Sequence, residues 1–224
     1  MSIGPFVSDK ELVGFAKSFF RNRLKTFRKD ITICLTRKEG QHAYFPALFI
    51  CIAFADLMSA LYAGRLRTGG LPDFKAYVTK FMPHPEYDAD QLDILYECLR
   101  HKVAHLAYPY PVFDTDSAYS ATFKGKRRRL VTWTIFANGR RPAIELIDLP
   151  VARELQRAAP PWRVVYNSRI IVRVRRFHTD IVKSIYGRSG YLQHLASNFE
   201  ARKKFANCMK GYVALAHKRF IPHF

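Results

Sequence analysis

The chain has 224 residues, 49% of them hydrophobic, with 37 Lys and Arg against 18 Asp and Glu and a formal charge of +19. That composition can bury one substantial core or two small ones, and it excludes an intrinsically disordered chain, which combines high charge with few apolar residues. The charge is uneven: there are 15 Lys and Arg against 13 Asp and Glu through Phe123, and 22 against 5 from Lys124 onward, a field that attracts polyanions, nucleic acid first among them.

Ser8 or Asp9 can cap a first helix running to about Lys29, with Leu12, Phe15, Phe19 or Phe20, Leu24 and Phe27 on its apolar side. Its outer face carries Lys17, Arg21, Arg23, Lys25 and Arg28. No apolar signal-peptide run opens the chain, so a cytoplasmic location is expected. A strongly apolar helix is expected from near Pro46 to Gly64. It is almost long enough to span a membrane, but Asp56 sits in its interior, which favours a core helix and argues against membrane insertion. A loop over Gly69–Asp73 precedes a shorter helix, Phe74 to Met82.

Asp90 to Leu106 then reads as a well-formed amphipathic helix. At 100° per residue, Leu92, Leu95, Leu99, Val103 and Leu106 share one stripe, and Asp93, Glu97, Arg100, His101 and His105 lie opposite. Pro109 and Pro111 end it. Two β-rich runs follow, Leu130–Phe136 and Ala143–Leu149, joined by Asn138–Pro142 as an expected hairpin. Helical spacing of Ile170, Val174, Phe177, Ile181 and Ile185 favours a helix over Arg169–Tyr186, although Val172–Arg175 alternates like a strand. A last basic helix is expected over Tyr191–Ala216.

An Arg followed by a His after four to six residues occurs four times in the chain, at Arg37/His42, Arg100/His105, Arg173/His178 and Arg188/His194. Only Arg100/His105 lies on a clearly amphipathic helix with carboxylates beside it. Cys34, Cys51, Cys98 and Cys208 are isolated, which points to reduced thiols. The chain has no phosphate-binding GxxxxGK[ST] loop, no HExxH, no GxSxG and no Cys/His spacing suited to zinc, so neither a metal nor another cofactor is expected.

Leu95–His105, preceded by the apolar helix with Phe54–Tyr62, resembles the HEPN superfamily, whose mark is Arg, a polar residue, three more residues and His late in a bundle helix. Arg100, His101 and His105 fill that pattern, and the resemblance covers roughly Asp9 to Pro111. It implies a mainly α fold, an up-down four-helix bundle over residues 1–111. The basic region 112–224 would add the hairpin and one or two C-terminal helices that complete the bundle.

The resemblance also implies a metal-independent endoribonuclease, assembled as a homodimer. Such an enzyme uses the ribose 2′-hydroxyl as nucleophile and leaves a 2′,3′-cyclic phosphate. Arg100 and His105 are the expected catalytic pair: the imidazole titrates near neutral pH and suits acid/base work, and the guanidinium can hold two phosphate oxygens. His101, Glu97 and Asp56 are expected in support. Asp56 is costly if buried alone, and a bond to Arg100 or His101 would remove that cost; a structural ion pair is the alternative.

RNA contacts are expected from Lys102, from Tyr108 and Tyr110, which either stack on bases or pack in a turn, and from the run Lys124, Lys126, Arg127, Arg128 and Arg129. The alternatives are a non-catalytic RNA- or nucleotide-binding module of a toxin or defence system, with an antitoxin or other regulatory protein as partner, and a structural interaction protein whose basic half meets an acidic partner protein or anionic lipid.

Overall fold

The structure, a computed structural model, describes residues 8–37, 43–65, 70–82, 85, 87–96, 113–114, 130–140, 142–154 and 165–219. They form a mainly helical protein with a small mixed sheet.

Helix α1 spans Asp9–Leu35. Ser8 and Glu11 open it with a reciprocal capping box, Ser8 N–H donating to Glu11 Oε2 at 3.0 Å and Glu11 N–H to Ser8 Oγ at 3.3 Å. Its buried stripe is Leu12, Ala16, Phe20, Leu24, Phe27, Ile31 and Leu35. The last two continue the helical period beyond Lys29, so the helix runs past the expected end. Helix α2 spans Tyr44–Ala63 and is the one helix among the described residues long and apolar enough to cross a membrane. Half of that stretch is buried inside the protein, and its Phe54 ring stacks on Phe27 of α1 at 4.4 Å. Gly64, at φ +82°, stops it: the Gly64 and Arg65 N–H groups both donate to Ala60 O, a glycine-dependent helix end.

Helix α3 spans Leu71–Phe81, three residues earlier than expected because Pro72 fits its first turn. Helix α4 spans Ala89–Ile94, capped by Asp88, whose carboxylate accepts from Gln91 N at 2.8 Å, and passes into a π-helical turn at 95–96. Its expected amphipathic pattern requires correction. Leu92, Asp93, Ile94, Leu95 and Tyr96 are all buried, so Asp93 does not lie on a solvated polar face; this stretch is enclosed on every side, as a core helix is. The remainder of the expected helix lies outside the described residues.

The sheet has strands β1 (Phe113–Asp114), β2 (Leu130–Phe136), β3 (Ile144–Glu154) and β4 (Val165–Arg173), in the order β1-β2-β4-β3. The expected hairpin is not formed. Both runs are strands, but β4 lies between them, parallel to β2 and antiparallel to β3. The 137–143 connection crosses the end of β4: Arg173 N–H donates to Ala143 O at 2.8 Å and Arg175 N–H to Ala137 O at 3.0 Å. The Arg173 guanidinium bonds Pro142 O at 2.7 Å and Glu145 Oε2 at 2.8 Å.

The helix expected over Arg169–Tyr186 is likewise corrected. The chain is strand through Arg173 and helix α5 from Val174 to Tyr186, so the alternation and the helical period each hold on their own side of that point. The last expected helix is two, α6 (Tyr191–Ser197) and α7 (Phe199–Arg219). Asn198 adopts an extended backbone between them, and its Oδ1 accepts from Ala201 N at 2.9 Å as the cap of α7.

The chain divides into two compact units. One comprises Met1–Ile33, Ile50–Pro83 and Thr179–Phe224, the other Cys34–Phe49 and His84–His178. The first unit is built on buried rings: Tyr191 meets the fully buried Phe20 and Tyr77 at 6.0 and 6.2 Å and the half-buried Phe81 at 5.7 Å. Its tyrosine hydroxyls are satisfied, Tyr77 with Ser184 Oγ at 2.7 Å and Tyr191 donating to Leu61 O at 3.0 Å. In the second unit α4 packs against β3, Trp133 meets Phe45 edge-on at 5.0 Å, and Tyr87 meets Phe177 at 6.3 Å.

Candidate nucleic-acid interface

Lys10, Lys17, Arg21, Lys25 and Arg28 fall within about 80° of one another around α1, because their spacings of seven, four, four and three keep returning to one side. This stripe flanks the buried one and spans about 27 Å along the axis. Three open concavities run beside it. The first is lined by Lys10, Lys17, Ala196 and Arg202 among others, the second by Lys17, Arg21, Tyr186 and Ala196, the third by Arg21, Lys25, Arg28 and Tyr186. Adjacent concavities share Lys17 with Ala196 and Arg21 with Tyr186, so the three adjoin along α1, which lines each of them and forms one wall of the groove they mark. Its opposite wall is the end of α5 with α6.

The electrostatics of this groove are one-sided. Asp9 is taken by Arg202, whose guanidinium meets it at 2.6 Å and also donates to Leu195 O and Ala196 O at the end of α6. Glu11 is engaged in the capping box. Among the described residues no ion pair joins the five stripe cations to a carboxylate. All five are exposed, and Tyr186, 48% exposed, presents an aromatic face in the same groove. A row of water-exposed cations beside an aromatic ring fits a phosphate backbone with a base to stack.

Arg23, read on the same outer face, lies away from the groove, over the Phe19 ring at 5.6 Å. The sequence offered a signal for the stripe in its cation spacing. It offered none for Tyr186, 165 positions beyond Arg21, or Ala196, 179 positions beyond Lys17.

Of the sequence-derived site residues, Asp56 is described: it sits half-buried on α2. Glu97, Arg100, His101, Lys102, His105, Tyr108, Tyr110, Lys124, Lys126, Arg127, Arg128 and Arg129 lie outside the described residues. Cys34, Cys51 and Cys208 are free thiols, and burial pushes Cys208 up to about 11, which keeps it protonated and unreactive at neutral pH. Burial likewise raises the Tyr77 and Tyr191 hydroxyls, as expected of structural groups. Among the described residues no three His, Cys, Asp or Glu side chains come together as a metal would require. The chain matches no known protein family, no curated protein and no solved structure.

Proposed function

We propose that this protein binds RNA along the α1 groove and cleaves it as a metal-independent endoribonuclease of HEPN type. The observation that carries the binding half is the row of five exposed cations, without a carboxylate partner among the described residues, lining three adjoining concavities along α1. The cleavage half rests on Arg100, His101 and His105, which stand in the sequence pattern of that superfamily. In this reading His105 takes the proton from the ribose 2′-hydroxyl and Arg100 offsets charge on the phosphorane. His101, Glu97 and Asp56 orient that pair, and a second copy of the chain completes the site in the cytoplasm.

The test is incubation of the full chain with single-stranded RNA in chelator. Cleavage to 2′,3′-cyclic phosphate ends, lost in Arg100→Ala and His105→Ala while RNA is still retained, is the expected result. Cleavage unchanged in His105→Ala overturns the assignment. Retention without scission at any pH leaves the groove as the interface of a non-catalytic RNA-binding module, the reading that the same row of cations favours without the motif.

A further inference from the structure

A second cationic cluster lies in the same unit, built from residues that line none of the three concavities. Lys80 from α3, His194 from α6 and Lys204 from α7 surround the ring of Tyr62 in the last turn of α2. Lys80 Nζ is 3.3 Å from His194 Nε2 and 5.1 Å from the centre of the Tyr62 ring; Lys204 Nζ is 5.8 Å from the same ring centre. The His194 ring lies 6.2 Å from Tyr62 and 5.5 Å from Phe81. Nitrogen groups from three helices are therefore gathered around the one Tyr62 ring.

That aromatic setting is rigid, because Phe81 also packs on buried Tyr77 and Tyr191 at 5.1 and 5.7 Å. Gly64 admits the third helix. A Cβ there would lie 2.9 Å from Lys204 Cβ and 3.0 Å from its Cα, so α7 comes this close to the end of α2 only across a glycine. The cations are held in place by ring faces rather than by acids. Among the described residues no ion pair links Lys80, His194 or Lys204 to a carboxylate, and the nearby Asp73 is committed to Arg65 at 2.8 Å.

With an ammonium at 3.3 Å, His194 Nε2 accepts and the ring is neutral, its proton on Nδ1. Burial, then Lys80, then Lys204 hold this imidazole below its ordinary range. The cluster is thus two fixed cations and one histidine that a bound anion would allow to protonate. Converging donors from separate helices suit a tetrahedral group with several oxygens better than a planar carboxylate, and lysine is a common phosphate binder.

We propose that Lys80, His194 and Lys204, arranged around Tyr62, form a binding site for a phosphoryl group. This does not rest on the ribonuclease reading. The full chain is titrated with inorganic phosphate at constant ionic strength, following the His194 ring by NMR, its signal assigned by its loss in His194→Gln. The expected result is a rise of about one unit in the His194 pKa at saturation, a tenfold preference for the protonated ring. The Lys80→Gln/Lys204→Gln pair should abolish the phosphate response while the far-ultraviolet spectrum is retained.

A second arm compares 5′-phosphorylated and 5′-hydroxyl oligoribonucleotides on the His105→Ala background, so that cleavage does not enter. A response to the phosphorylated strand alone assigns a terminal phosphate, an equal response to both assigns the backbone diester, and a response to inorganic phosphate alone assigns a free anion; each supports the site. A His194 signal unmoved by phosphate, or moved equally in the double-lysine variant, overturns it. Phosphate binding here with no RNA cleavage would sink the nuclease reading and leave this site standing.

Discussion

Arg173 and Arg21 carry the same guanidinium in opposite circumstances. Arg173, at the end of β4, has a side chain 9% exposed and fixed by Glu145 and Pro142 O, where it ties the 137–143 connection to the sheet. Arg21, on α1, stands in water, and no ion pair joins it to a carboxylate among the described residues. A charge of +19 therefore mixes two kinds of cation: those consumed in building the fold and those left available to a ligand. Sequence composition adds them together, and only burial and partners separate them.

The sharpest way to break this contrast is to remove one of each. Arg173→Met removes a nearly buried guanidinium from Glu145 and Pro142 O and unseats the connection, and should destabilise the protein by about 3 kcal/mol, read as a fall in the urea midpoint. Arg21→Gln or Lys17→Gln should change stability by no more than about 0.5 kcal/mol, the usual range for exposed positions. An Arg21 loss as large as that of Arg173 would erase the distinction.

The converse experiment reads binding. Neutralising Lys17, Arg21 and Arg28 together should lower the slope of log affinity for single-stranded RNA against log salt by about 2, and weaken binding about a hundredfold at 0.1 M salt. Arg173→Lys should leave both unchanged. A slope unaltered by the triple variant would move the RNA path off α1.

Gly64→Ala is a smaller perturbation on the helical side. Its left-handed φ and the approach of Lys204 should together cost about 1–2 kcal/mol. The comparison variant Gly14→Ala, in an exposed turn of α1 with nothing within 4 Å of the added Cβ, should be neutral or stabilising, because alanine favours the helix. Thermal melts of the two distinguish a glycine required by its neighbours from one that is not.

What the sequence revealed follows the range of the forces involved. Helices α1 to α3 were legible because buried residues repeat along one continuous segment, and Ser8 and Gly64 mark the start of α1 and the end of α2, whereas Pro72, read as loop, in fact opens α3. The hairpin misled because strand-forming runs on either side of Asn138–Gly139 say nothing of a third strand arriving 30 residues later to take the place between them. Asp93 misled because periodicity sorts residues by type, and this carboxylate is enclosed despite its type. The stripe on α1 was visible as spacing, but in the half of the chain whose charge is nearly balanced. The cluster at Tyr62 had no local signal, since Lys80 and His194 are 114 positions apart.

The smallest predicted effect is a pH dependence confined to the helical side. His194 has a folded pKa below its ordinary value of 6.5, through burial and the two lysines. Above pH 6.5 the ring is neutral both folded and unfolded, and it adds no slope. As pH falls through 6.5 the unfolded chain takes up the proton first, so stability declines until the folded pKa is also passed, and the loss is then constant. Subtracting the stability curve of His194→Gln from that of the parent should isolate this decline between pH 7 and 5, over the background of the other seven histidines. Saturating phosphate should shrink it by raising the folded pKa towards the unfolded one. The pair at Arg173 offers a contrast, since its guanidinium keeps its charge throughout this range, so Arg173→Lys should leave the difference curve intact. A curve with the opposite sign, stability rising as His194 protonates, would mean that an acid already faces the ring and that the cluster is neutralised from within.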